Sequence, residues 1–257
     1  MITLISHFYN EEKLLPWWIA HHRPMVDHAI LIDHGSTDRS REVCAHYAPE
    51  WEIISSEVAS FDAIATDFEV MLVERKVSGW KIALNTTEFL VAPDLHSRLN
   101  EAERLGTMAM KTRGVVMVDA TPDVELDTKR LLIEQKYHGF LEEGWRFCFA
   151  EKKKRPKPKR QRLIHRYEHG AYAPGRHLSF RVAEAAPSDF FTLWYGYSPW
   201  TDWFKARKTG ISTRIPLADQ MAGRGLQHLR SLEQLDQDYR HYSKWAVDLS
   251  DMLGLSV

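Results

Sequence analysis

In the stretch WKIALNTTEFLV, residues 80–91, an apolar run ends at Leu84, four polar residues follow (Asn85, Thr86, Thr87, Glu88), and an apolar run resumes at Phe89. A charge inside a segment that otherwise favours burial marks either a turn or a site, because an unpaired buried charge is costly. Two earlier stretches have the same form: His7 to Glu12 (HFYNEE) follows an apolar run, and so does Asp33 to Asp38 (DHGSTD). Carboxylates and amides at such places can accept hydrogen bonds from ribose hydroxyls or a nucleobase N–H.

The elements that must position these residues alternate. ITLISH reads as a strand, and Asn10-Glu11-Glu12 then opens a helix carrying Leu14, Leu15, Trp18 and Ile19. Acidic residues in a first turn suit the positive end of the helix dipole. AILI is a second strand, 38–47 a second helix and WEIIS a third strand. Residues 61–79 have helical spacing, with Phe61, Ile64, Phe68, Met71 and Leu72 on one apolar face. WKIAL is the fourth strand. Continuous apolar strands between helices predict an α/β fold with a mostly parallel central sheet covered on both faces. Ligands of such sheets bind beyond the carboxyl ends of the strands, and all three polar stretches fall there, along one rim.

Beyond residue 92 the pattern is less regular. LHSRLNEAERLG reads as a helix, 107–119 as one or two strands, and 127–141 as a helix. RLIHRYEHGAYAPGRHLSFRV alternates like strands around a turn at Pro174-Gly175. Residues 188–208 are aromatic-rich and read as helical at both ends, and 231–253 as one amphipathic terminal helix. There is no internal repeat and no clean linker.

The chain has 257 residues with 44% hydrophobic content, enough for one large domain or a domain with an added lobe. Two cysteines, Cys44 and Cys148, support neither a disulfide framework nor a zinc site and read as free buried thiols. The N-terminus shows no basic leader, and no apolar run approaches the roughly 20 residues of a membrane span, so a cytoplasmic location is the default expectation. Net charge is −1, yet residues 151–162 (EKKKRPKPKRQR) carry eight Lys/Arg and one Glu. That run is either a solvated loop or an arm for an anion: a nucleotide diphosphate, an acidic glycan, a membrane surface or RNA. Without interleaved aromatics it is a weak nucleic-acid signal, and no nucleic-acid partner is expected.

Phosphate-loop, HExxH and GxSxG motifs are absent. AGRGLQH (222–228) has one Gly-x-Gly fed by no apolar strand, so it is either a plain loop or a flap whose Arg224 and His228 meet a phosphate. LISHFYNEEKLLPWWIAHHRPMVDHAILIDHGSTDRSREV (4–43) and WKIALNTTEFLV (80–91) together resemble the family 2-type glycosyltransferases of the GT-A fold. Those open with a strand, Asn-Glu, a helix, then a strand ending in Asp and a Ser-x-Asp turn; a Trp, an apolar strand and Asp-x-Asp-Glu-Phe come later. RLIHRYEHGAYAPGRH resembles a further segment ending in a metal-side His, and YSPWTDWFKARK a Ser-x-x-(Asp/Glu)-Phe-x-x-(Lys/Arg) element. The likeness is good over 1–92 and looser over 162–228.

The resemblance implies a single GT-A-like domain, with 1–92 as the nucleotide-binding half and 93–257 as the acceptor half. It places Asn10, Glu11 and Asp33 at the nucleotide base and ribose, with Ser36 and Asp38 nearby; helix capping is the competing role for Asp33 and Asp38. It also puts Asn85 and Thr87 where the family has the two Asp that hold a divalent cation. Three outcomes stay open. Glu88, His177 and Asn85 could hold a manganese-like or magnesium ion. Lys/Arg groups, including those of 152–162, could neutralise the diphosphate without metal. Or the chain binds a nucleotide sugar or glycan without turnover.

The implied reaction is transfer of a sugar from a nucleoside-diphosphate sugar to a hydroxyl acceptor, inverting by analogy, in bacterial-type polysaccharide or glycoconjugate synthesis. It needs a general base, for which Asp202 is the first candidate and Asp119 the reserve. Trp194, Tyr195, Tyr197, Trp200 and Trp203 crowd ten residues, and one or two of them are expected to meet a sugar, the others to pack in the core. His21 and His22 read as structural.

Overall fold

The computed structural model describes residues 1–120, 125–142, 160–181, 185–222, 225 and 228–255. Strands β1 (Ile2–Phe8), β2 (His28–Asp33), β3 (Glu52–Ser55) and β4 (Trp80–Ala83) run parallel in the order β4-β1-β2-β3. Between them lie helices α1 (Leu15–His22), α2 (Ser40–Tyr47) and α3 (Ala63–Glu74). Alternation within each strand sends side chains to two cores. Leu4 and Leu31 pack with Trp18 and Cys44 of α1 and α2. Ile5, Ile30 and Ile32 pack with Val70 and Val73 of α3. The sheet is thus covered on both faces, as the continuous apolar strands require.

The second half extends this sheet with antiparallel partners. Strand β8 (Leu163–His165) pairs with β4 and with β6 (Ala109–Val118), and β6 pairs in turn with β7 (His138–Leu141). A long strand, β9 (Ala186–Tyr197), runs parallel to β6 and antiparallel to β5 (Glu88–Val91). The parallel order expected of the whole sheet therefore holds for the first four strands, and the rest is mixed. Helix α4 (Leu95–Arg104) forms as expected.

Several local expectations are corrected. Helix α1 starts at Leu15, not at Asn10, because Asn10 takes a left-handed φ of 52° and its first turn carries no acid. Residues 127–141 hold only a short helix, α5 (Leu132–Gln135), and then become β7, where sheet pairing with Val115–Met117 outweighs helical spacing. The first part of 188–208 is β9, and only Asp202–Gly210 (α6) is helical. A short helix, α7 (Leu217–Met221), follows. The terminal segment is α8 (Leu232–Tyr242), then strand β10 (Val247–Asp248) and helix α9 (Ser250–Leu253), not one helix.

Helix α3 is turned the other way from its apolar pattern. Ile64, Phe68 and Leu72 are 51%, 55% and 39% exposed, while Asp67, Glu69 and Glu74 are buried. Each buried carboxylate has specific donors. Asp67 accepts Gly175 N–H at 2.6 Å and pairs with Arg176. Glu69 meets His7 at 2.6 Å and accepts Ser56 Oγ at 2.7 Å. Glu74 accepts Tyr172 OH at 2.6 Å and Gly170 N–H at 2.7 Å. A fully satisfied buried acid overrides periodicity. These bonds also tie residues 170–176 along α3, from Gly170 and Tyr172 at Glu74 to Gly175 and Arg176 at Asp67.

Candidate active site

The three polar stretches meet. Register places Phe8 of β1 beside Asp33 of β2, and Ile5 of β1 beside Ala83 of β4. Asn10 N–H donates to Ser36 Oγ at 3.1 Å, Thr37 N–H donates to Asn10 Oδ1 at 2.8 Å, and Thr86 Oγ1 donates to Glu11 Oε1 at 2.9 Å. Beyond them opens a cavity of about 610 Å³. His7, Tyr9, Glu11 and His34 line it from β1 and β2, and Asn85, Thr87 and Glu88 from the turn between β4 and β5. The second half supplies Arg160, Arg176, His177, Trp194, Arg207, Lys208 and His228.

Two of the expected nucleotide residues, Asn10 and Glu11, hold the rim together. Glu11 pairs through both oxygens with the Arg207 guanidinium, and it lines the cavity, whereas Asn10 is spent on the 36–38 turn. Asp33, Ser36 and Asp38 do not line the cavity. Asp33 accepts Ser36 N–H and Arg41 Nη1, each at 2.9 Å. Burial works to raise its carboxyl pKa, but those bonds hold it below the usual carboxylate range. Asp38 accepts Glu12 N–H at 3.1 Å and Ser40 N–H at 2.9 Å. These three side chains shape turns, and none of them caps α2, whose N-cap is Arg39 with no side-chain cap bond. Thr87 and His228 line the cavity; Arg224 lies outside the described residues.

Neither expected general base reaches it. Asp202 is exposed in the first turn of α6, whose cap is Thr201. At 3.6 residues per turn, Asp202 lies about 140° around the helix from Arg207, which faces the cavity. Asp119 is buried away from the cavity, accepting Lys136 Nζ at 2.9 Å, Trp200 N–H at 2.8 Å and the Ser198 hydroxyl. Its charge is consumed by that cluster.

The expected metal ligands are also engaged. Glu88 is fully buried and binds Arg162 in bidentate fashion, at 2.8 Å to Nε and 2.5 Å to Nη2. Its Oε2 also accepts Asn85 N–H at 2.8 Å. Asn85 Oδ1 accepts from the Arg176 guanidinium, which also pairs with Asp67. Two guanidinium groups thus stand where a cation would approach, and among the described residues no cluster of three His, Cys, Asp or Glu could hold a metal ion. The described residues at the 85–88 turn, with Glu88 and Asn85 held by arginines, do not fit a divalent cation. His177 lines the cavity next to Arg176.

What faces the cavity is positive charge on aromatic rings. Lys208 Nζ donates to Gly196 O at 2.8 Å and sits 4.9 Å from the Tyr197 ring and 5.3 Å from Trp194. Arg160 lies 3.8 Å over the same Trp194 ring. A Cβ on Gly196 would come within 2.2 Å of that ring, so glycine there lets Trp194 fold over the strand. Burial, with Arg207, Arg160 and Arg230 nearby, pushes the Lys208 amine down to about 7. Burial, with Lys208 and Arg207, pushes the His228 imidazole down to about 4. Trp194 and Tyr197 line the cavity, as does Tyr195, while Trp200 and Trp203 do not.

His21 and His22 brace β5: His21 Nε2–H donates to Leu90 O at 2.6 Å, and His22 Nε2 accepts Leu90 N–H at 3.1 Å. Trp18 Nε1 donates to Glu88 O at 2.9 Å, so α1 helps hold the 85–88 turn in place. Sequence reasoning missed Arg162, Arg176, Arg207 and Lys208. The basic end of the YSPWTDWFKARK element pointed to Arg207, and Arg162 closes the basic run. Of that run, 151–159 and with it most of the expected anion arm lies outside the described residues, as does Cys148; Cys44 is buried. Among the described residues no helix is long and apolar enough to cross a membrane.

No protein-family model matches the chain, and no curated protein matches it. Among solved structures it is similar to S. aureus TarS 1-349 in complex with UDP-GlcNAc, with a TM-score of 0.36 and 11% identity over 49% of this chain and 36% of that one. It is also similar to glucosyl-3-phosphoglycerate synthase from Mycobacterium tuberculosis in complex with Mn2+, UDP and glucosyl-3-phosphoglycerate, with a TM-score of 0.32 and 18% identity over 44% of each chain. The match thus spans less than half of either protein's length.

Proposed function

We propose that this chain is a glycosyltransferase that moves a sugar from a nucleoside-diphosphate sugar to a hydroxyl acceptor, and that side-chain cations take the place of a metal. Residues 1–92 hold the nucleotide and 93–257 the acceptor. The acceptor oxygen attacks the anomeric carbon, the bond from that carbon to the phosphate oxygen breaks, and the nucleoside diphosphate leaves with the electron pair. The diphosphate lies over the 85–88 turn, and Arg176, Arg160 and Lys208 stabilise its growing charge. Trp194 and Tyr197 offer ring faces to the sugar. By analogy with the resembled family the transfer inverts and serves polysaccharide or glycoconjugate synthesis.

The single observation that carries this reading is that Lys208, an amine with no carboxylate among its described partners, lines the cavity that the Asn85–Glu88 turn also lines. A half-buried cation without a counter-ion is costly, and an anionic ligand would supply one. The test is a thermal-shift series with UDP, GDP and their sugars, each with manganese and with EDTA. A nucleoside diphosphate at 100 times its Kd should stabilise the fold by about 2.7 kcal/mol, equally in EDTA. No stabilisation by any of them overturns the reading; stabilisation only with manganese overturns its metal-free part.

A second reading, a nucleotide-sugar or glycan-binding protein without turnover, is favoured by the engaged carboxylates, since neither Asp202 nor Asp119 reaches the cavity. Turnover by Asn85→Asp/Thr87→Asp but not by the wild type would select it.

A further inference from the structure

Glycosyl transfer requires a group to take the acceptor proton, and the carboxylates of the cavity wall are all engaged. Glu11 is paired with Arg207, Asp67 with Arg176 and Glu88 with Arg162. Asp219, 1% exposed, accepts Ala63 N–H at the start of α3. Among nitrogen bases, His7 Nε2 is held by Glu69 and its Nδ1 is buried, and His34 Nδ1 accepts from Arg214 at 2.8 Å. Lys208 sits against three rings; burial pushes its amine down to about 7, but a diphosphate bound beside it would hold the ammonium form and leave no free base there. His228 differs from all of these. It lines the cavity edge-on to Phe61, at 5.9 Å between ring centroids, and its backbone N–H is tied to Gly225 O at 2.9 Å.

We propose that His228 is the general base of the transfer: its neutral imidazole takes the hydroxyl proton of the acceptor as the new bond to the anomeric carbon forms. This assignment rests on the transfer reading above. The proton passes from acceptor oxygen to imidazole nitrogen, the acceptor oxygen becomes the glycosidic oxygen, and the diphosphate leaves with the electrons of the broken bond. Burial first, and then the charges of Lys208 and Arg207 on α6, lower the pKa of His228 and keep the imidazole neutral at physiological pH.

The test uses UDP-glucose, UDP-N-acetylglucosamine and GDP-mannose as donors, with water and then glycerol as acceptor. His228→Gln should keep the thermal stabilisation by the donor, leave the donor KM unchanged and lower kcat about 100-fold or more. His177→Gln, at another imidazole that lines the cavity, should keep most of kcat. The acid limb of the wild-type kcat/KM profile should disappear in His228→Gln. The assignment is overturned if His228→Gln retains kcat, if His177→Gln loses as much, or if a donor binds but the wild type transfers to neither acceptor. If no donor stabilises the fold, the transfer reading fails and this one with it.

Discussion

Two cations meet the backbone around the 85–88 turn, and they are satisfied in opposite ways. Arg162 is 1% exposed and has a complete partner in Glu88, with Gly175 O taking a further bond at 2.8 Å. Lys208 reaches the same region through Gly196, in the strand where Tyr195 N–H donates to Thr87 O at 2.8 Å, and it has rings and a carbonyl for company. A buried pair with every donor met is architecture: it holds β8, the 85–88 turn and the 174–176 loop in one piece. An amine left without its counter-charge is a binding group. A position where the resembled family has an acid is therefore not vacant chemistry; the acid that remains, Glu88, has become part of the floor.

The largest effect should come from breaking the floor. Glu88→Ala leaves the Arg162 guanidinium buried and uncompensated, a change that costs about 3–5 kcal/mol. The double change Glu88→Leu/Arg162→Met should recover most of it, because the desolvation penalty goes with the charges. Chemical denaturation measures both. If Glu88→Ala were neutral, the distinction between floor and binding group would collapse.

Lys208→Met should behave in the opposite manner. Losing a charge-assisted bond to a diphosphate costs about 1.5–3 kcal/mol, or roughly 10- to 150-fold in affinity, while the fold is not destabilised. Calorimetric titration with UDP and GDP, beside denaturation of the unliganded protein, separates the two. A loss of stability as large as that of Glu88→Ala would show Lys208 to be architecture as well.

Proton linkage sharpens the same contrast. The Lys208 amine is about 7 in the fold against an ordinary value of 10.5, so between those limits the unfolded chain binds more protons. Stability must then rise with pH from about 7 toward 10.5, by at most about 1.4 kcal/mol per pH unit. Lys208→Met should flatten that rise. On the acid side, His21 and His228 are each about 4 in the fold against 6.5, burial being the first cause in both, so stability falls as pH drops from 6.5 toward 4. Denaturation midpoints of the two proteins at pH 5, 7 and 9 check both slopes.

The first four strands, the helices between them and the meeting of three polar stretches were legible because continuous apolar strands admit few arrangements. What escaped was decided by pairing between distant residues. Nothing near Glu88 names Arg162 as its partner, 74 positions away. Nothing in DTKRLLIEQKYHGFL shows that β6 offers His138–Leu141 a free edge. Asp202 looked like a base because it followed aromatics near a helix start, yet the helix is rotated to send Arg207 and Lys208 inward. Site residues were legible in type, carboxylates and amides at strand ends, but not in role, since Asp33 and Asp38 turned out to tie turns.

Helix α3 carries the smallest expected effect and the most direct test of that lesson. Its apolar residues Ile64, Phe68 and Leu72 recur at intervals of four and predict a buried stripe, yet they face out, while Asp67, Glu69 and Glu74 face in. If partner satisfaction sets the rotation, Phe68→Ser should change stability by no more than about 0.5 kcal/mol, as for an exposed position. Val70→Ala, on the buried side, should cost about 2 kcal/mol through lost methyl burial and the space left behind. Periodicity alone demands the reverse order. The measured order therefore decides which rule rotates the helix, and with it whether Asp67 stands where it can hold Arg176 against Asn85.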